Sequence, residues 1–207
     1  MKPTSENNWI DIALFLVILT IIYNVIEAVI SIWSGLAANS IALLGFGFDS
    51  IIEFLAAGIL IWRLLKEKNG ADKEELERVE HRTLQFVGIT FFILAAYVLF
   101  EASSTLFHQE APKESLLGII IAVLSLIIMP ILAWFKLKAA DHIGSAALRA
   151  EAKETIACTY LSFTLLLGLT LNATLQWWWA DPTVALFMVP WLIKEGMEGL
   201  NGEGCCS

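Results

Sequence analysis

The chain has 207 residues, of which 57% are hydrophobic and only 16% charged, against roughly half apolar and about a quarter charged in an ordinary soluble domain. A membrane-spanning helix takes about 20 apolar residues, so about six spans are expected to fill the chain and leave no room for a second domain of useful size. A formal net charge of -8 argues against nucleic acid as a partner, because phosphate binding needs a basic surface.

The first apolar stretch runs from about residue 9 to 33, after a start with the single Lys2. It is too long for a signal-peptide core and no small-residue cleavage site follows, so it reads as a retained helix. The second, about 39–65, is interrupted by Asp49 and Glu53. The mixed-charge run KEKNGADKEELERVEHR is expected to be an aqueous, helical loop. A third helix is expected over about 83–108, then a short Pro-containing turn. The fourth is placed at about 116–134, with Pro130 near its end, where a kink is tolerable in a membrane. A polar segment leads to the fifth, about 146–171. The stretch LNATLQWWWADP reads as an aromatic belt at the membrane surface, and Pro182 is expected to start the sixth helix, about 182–199. The whole of 1–207 is thus read as a single transmembrane domain.

Short cytoplasmic loops are enriched in Lys and Arg. With the N-terminus inside, only Lys113 of the 13 Lys and Arg falls outside, Lys136 being counted with the cytoplasmic connections. Both termini are therefore expected in the cytoplasm, in the cell (inner) membrane.

Ionisable groups inside membrane helices cost roughly 2.5 to 3.5 kcal/mol each on insertion scales, so each one is a functional candidate. Asp49 and Glu53 stand four apart on the second helix, and Glu154 and Cys158 repeat that spacing on the fifth. Residues four apart share a helix face, so adjacent helices would converge four anionic-capable ligands, a set suited to a tetrahedral divalent ion. Two carboxylates on one face repel rather than staple, which favours ligation over an interhelical hydrogen-bonding role. Counting inward from Ser40 and from Leu171 at about 1.5 Å per residue puts Glu53 and Cys158 level at about 20 Å, with Glu154 one turn nearer the cytoplasm.

Several residues have plainer readings beside functional ones. Asn24 and Glu27 on the first helix, with Glu101, Thr105 and His108 on the third, form outer-half polar stripes that suit either an outward ion pathway or interhelical hydrogen bonds. Arg149 and Lys153 can snorkel and screen Glu154, and Cys158 can pack as a small hydrophobe. His81 and His142 read as solvated. The 3 cysteines make no disulfide framework, and Cys205 and Cys206 suit soft-metal capture or a tail without a role. No enzyme reading survives: Gly45-Phe-Gly-Phe-Asp49 has one residue too many for an intramembrane aspartyl protease, and His-Glu-x-x-His is missing.

The run Asn39 to Glu53 resembles the second helix of the cation diffusion facilitator (cation efflux) family, where an acidic or His residue precedes an acidic one by four. His81-Arg82 through Phe100-Glu101-Ala102 is similar to that family's third helix, and Ala180-Asp181-Pro182 through Glu198 to its sixth. Ala147 to Cys158 matches the fifth-helix segment, with Glu and Cys where the family usually has His or Asp, then Asp. The resemblance implies an all-α membrane protein, a six-transmembrane-helix bundle of cation diffusion facilitator type, in a short form lacking the C-terminal cytosolic domain. It also implies divalent metal efflux by metal/proton antiport and alternating access. Clustered carboxylates repel when ionised, so protons occupy the empty site and the metal displaces them. Three carboxylates suit Mn²⁺ or Fe²⁺, while a thiolate favours Zn²⁺ or Cd²⁺. Zn²⁺ is the preferred expectation, with Cd²⁺, Mn²⁺, Fe²⁺ and Co²⁺ as the other candidates and no resident cofactor. Expected partners are the ion, protons, the lipid bilayer and a second copy in a homodimer. The alternative is a non-transporting metal-binding membrane sensor or interaction protein.

Overall fold

The computed structural model describes residues 4–38, 41–108, 116–175 and 177–201. Lys113, Cys205 and Cys206, and the turn at 109–115, lie outside the described residues. The described residues form α1 (Thr4–Ala38), α2 (Ile41–Lys68), α3 (Lys73–His108), α4 (Leu116–Ile143), α5 (Ala146–Leu175) and α6 (Ala180–Asn201).

Helix boundaries follow backbone chemistry rather than hydropathy, which is where the structure departs from the sequence reading. The charged run is helical as expected, except at 69–72, but its helix is the end of α2 and the start of α3 rather than a separate loop. Gly70, at φ 77°, ends α2 in the left-handed conformation that glycine adopts at least cost. Asp72 then opens α3 by accepting the Glu75 N–H at 2.7 Å, an N-cap bond. Likewise α4 does not stop at Trp134. No helix breaker intervenes until Gly144, at φ 66°, and Ser145 caps α5 by accepting the Leu148 N–H at 3.1 Å. The polar segment after Trp134 is therefore the last turns of α4, and Lys136 lies fully buried within it instead of in a connection. Pro182 sits in the first turn of α6, which begins two residues earlier.

Helix α1 is inverted relative to a soluble amphipathic helix. Thr20, Asn24, Glu27, Ser31 and Ser34 are buried, whereas Phe15, Ile22, Val29 and Leu36, spaced by seven, are exposed. Polar side chains inward and apolar ones outward are what a lipid surround selects. Among the described residues four helices, α1 to α4, are long and apolar enough to cross a membrane. Helix α5 carries Glu151, Lys153 and Glu154 in its first half, and these acids are buried against neighbouring helices.

The bundle pairs α1 with α2, α3 with α6 and α4 with α5, and brings α2 and α5 together in the middle. Ion pairs gather at one end, here the charged end: Lys68 with Asp11, Lys66 with Glu75, Arg149 with Asp141 and Lys153 with Glu195. Beneath them Glu80 of α3 binds Arg63 and accepts the Ala147 N–H at 2.7 Å and the Ser145 hydroxyl at 3.1 Å, tying α2, α3 and the start of α5 together. Helices α3 and α6 cross closely: a Cβ on Gly88 would lie 2.9 Å from Gly196 O, and one on Gly199 2.8 Å from Gly88 Cα. Small residues permit such backbone approach between membrane helices.

Candidate metal site

Asp49 and Glu53 lie on the α2 face that meets α5, and Glu154 and Cys158 on the facing side of α5. All four are at most 1% exposed. The register differs from the depth count by one turn. Cys158 faces Asp49, while Thr155, next to Glu154, donates its hydroxyl to Glu53 Oε1 at 2.5 Å. Glu53 and Cys158 are thus not level. Helix ends are therefore not a common reference level: α5 continues to Leu175, 17 residues beyond Cys158, whereas α2 starts at Ile41, 8 residues before Asp49, so α5 projects past the start of α2.

Glu27 and Asn24 belong to this cluster rather than to a separate outer stripe. Glu27 Oε2 accepts the Ser50 hydroxyl at 2.8 Å and lies 3.7 Å from Cys158 Sγ. Asn24, also fully buried, faces Glu53. Ser125 of α4 lies 3.9 Å from Cys158 Sγ. Glu154 faces Thr90 of α3, whose hydroxyl is engaged by Val87 O at 2.7 Å. Every member is thus contributed by a helix, which fixes side chains more firmly than a loop does.

The polar bookkeeping inside is incomplete. Glu27 Oε1, Asp49 Oδ2, Glu53 Oε2, Glu151 Oε2, both carboxylate oxygens of Glu154 and both side-chain polar atoms of Asn24 are buried without a hydrogen-bond partner among the described residues. Native interiors satisfy nearly all such atoms, and each exception calls for a proton, water or ion. Among the described residues no three His, Cys, Asp or Glu side chains sit close enough to share one ion. Two of the carboxylates are instead bonded by hydroxyls, Glu27 by Ser50 and Glu53 by Thr155.

Two further members went unnoticed in the sequence. Lys136 Nζ donates to Glu151 Oε1 at 2.7 Å and to Thr155 Oγ1 at 2.8 Å, and both charged groups are 0% exposed. Glu151 was visible as an acid three residues before Glu154. Lys136 was hidden by its place in a polar run. Glu101 stands apart from the cluster: with Tyr97, Thr105 and Thr164 it lines a cavity of about 60 Å³, and its carboxylate and the Tyr97 ring pack where Gly45 has no side chain. His108 is exposed at the end of α3, bonded to Ser104 O at 2.9 Å. His81 is exposed on α3, and His142, on α4, stacks on Trp9 with ring centroids 4.0 Å apart. Trp177 and Trp179 stack on each other at 5.5 Å.

A bundle of six helices, with polar side chains inward, apolar ones outward and buried acids meeting from α1, α2 and α5, is the architecture of a helical membrane protein. The chain belongs to the cation efflux family: the cation efflux transmembrane domain matches residues 17–200. It is 25% identical over 175 residues, 80% of this chain, to an uncharacterized transporter of Synechocystis, and spans 56% of that protein's length. It is 22% identical over 199 residues, 96% of this chain and 69% of the relative, to transmembrane protein 163 of Xenopus laevis.

Proposed function

We propose that this protein exports a divalent metal cation, binding it at Asp49, Glu53, Glu154 and Cys158 with Glu27 alongside. The observation that carries the reading is the set of buried carboxylate oxygens on α1, α2 and α5 that have no hydrogen-bond partner among the described residues. An unpaired carboxylate in an apolar interior is costly, and a divalent cation relieves several at once. Coordination would draw Glu53 off Thr155 and Glu27 off Ser50 and close the ligands around the ion. Cys158 supplies the one soft donor, so Zn²⁺ is the favoured ion, ahead of Cd²⁺, Mn²⁺, Fe²⁺ and Co²⁺.

The cycle we infer is metal/proton antiport by alternating access. When the ion leaves, protons neutralise the acids, since two ionised carboxylates on neighbouring turns repel. When the ion returns, it displaces those protons. The Arg63, Glu80 and Ser145 cluster would then bar the charged end while the other end opens. We place the charged end, with both termini, in the cytoplasm of a cell whose inner membrane holds the protein, on the Lys and Arg bias. The assembly we propose is a homodimer.

The test is Zn²⁺ flux in proteoliposomes carrying a pH-sensitive dye. The expected result is Zn²⁺ movement coupled to counter-movement of protons, lost in Asp49→Asn and Glu53→Gln. Zn²⁺ binding without flux in the wild-type protein would instead support a membrane metal sensor or interaction protein, and absence of binding would overturn the site.

A further inference from the structure

We propose that Glu151 is a second cation-binding station, placed between the charged end and the main site, and that the Lys136 ammonium holds it as a tethered competitor in this conformation. The proposal rests on the transport reading above and adds to it how the ion reaches the site.

Position is the first argument. Helix α5 starts at the charged end, and Glu151 stands one turn before Thr155 and three residues before Glu154. An ion travelling from that end to Glu53 and Glu154 therefore meets Glu151 first. Connection is the second: Glu151 Oε1, Lys136 Nζ, Thr155 Oγ1 and Glu53 Oε1 form an unbroken chain of contacts at 2.7, 2.8 and 2.5 Å. A cation arriving at Glu151 would thus displace the same ammonium that donates to the Thr155 hydroxyl bonded to Glu53.

The third argument is that a cation already occupies the station. Lys136 is fully buried, and the second carboxylate oxygen, Glu151 Oε2, is buried with no partner among the described residues. A carboxylate that spends one oxygen on an ammonium and leaves the other unpaired still has a donor to offer a stronger cation. Holding α4 against α5 does not require this pair: Ala139 and Ala140 pack with Ala146, Ala147 and Leu148 in the same apolar cluster, and an apolar pair commonly replaces a buried ion pair at no cost in stability. Desolvating two charges is explained if one of them is there to be displaced.

The experiment measures equilibrium Zn²⁺ binding to the full chain in detergent micelles, by calorimetry and by metal analysis after gel filtration, for wild type, Lys136→Met and Lys136→Met/Glu151→Gln. Removing the ammonium is expected to add one bound Zn²⁺ per chain or to tighten binding by about tenfold, the factor that corresponds to about 1.4 kcal/mol. Adding Glu151→Gln is expected to cancel that gain. Binding unchanged or weakened by Lys136→Met overturns the proposal. Should Lys136→Met fold poorly, Lys136→Gln is measured in its place: it keeps a donor to Thr155 and removes the charge, and the same gain is expected. The main site is judged separately by Asp49→Asn. If wild type binds nothing but Lys136→Met binds one ion, the station stands and the main site falls; if neither binds, both fall.

Discussion

Glu154→Met separates the cost of the site from its use. Glu154 is 1% exposed, with both carboxylate oxygens lacking a partner among the described residues. A buried unsatisfied polar group costs about 1 to 3 kcal/mol, and methionine fills a similar volume without polar atoms. The metal-free variant is therefore expected to be more stable than wild type by about 2 kcal/mol, or roughly 4 to 8 °C in a chain of this length. Zn²⁺ acts the other way. At a free concentration of about 100 times its dissociation constant, a ligand stabilises the form that binds it by about 2.7 kcal/mol, and only the wild type is expected to collect this. The melting curves should thus cross, with the variant ahead without the ion and wild type slightly ahead with it. Thermal unfolding in detergent with and without Zn²⁺ reads both effects. A variant less stable in both conditions would make Glu154 a structural acid, and a retained Zn²⁺ shift would remove it from the ligand set.

Cys158→Ser should weaken Zn²⁺ and Cd²⁺ binding more than Mn²⁺ binding, since it removes the soft donor and keeps the size; equal losses in competition titrations would mean that Cys158 only packs. Glu80→Ala strips a buried partner from Arg63 and two acceptor bonds from the start of α5, and should cost about 3 kcal/mol in thermal unfolding, with Zn²⁺ binding intact. Gly88→Leu puts a side chain where Gly196 O would be 2.9 Å from its Cβ, and should cost about 1 to 3 kcal/mol by forcing α3 from α6; an unchanged melting temperature would refute the close crossing.

The helices that carry the candidate site were legible because charge in an apolar run is conspicuous: Asp49 and Glu53 interrupt α2, and the four-residue spacing on α2 and α5 announces a shared face. Hydropathy found six helices but misplaced their ends, because an end is set by caps. Gly144 and Ser145 terminate α4 and start α5, and nothing in hydropathy distinguishes the last turns of α4 from a polar loop. That error concealed Lys136, the buried cation nearest to the site. The expected register was off by a turn for another reason: the outer ends of α2 and α5 do not stand level, so depths counted from them cannot be compared. Glu27 was assigned to an outer stripe for a related reason: its spacing with Asn24 shows which face it occupies, but only the packing of α1 on α2 brings Ser50 to 2.8 Å and Cys158 to 3.7 Å from its carboxylate. A single helix thus declares its own polar face, while the level at which two faces meet is set by how the helices pack. What the caps do decide is the place of Lys136, which is interior because α4 runs on to Gly144 and Ser145, residues that touch no ion in the reading proposed above.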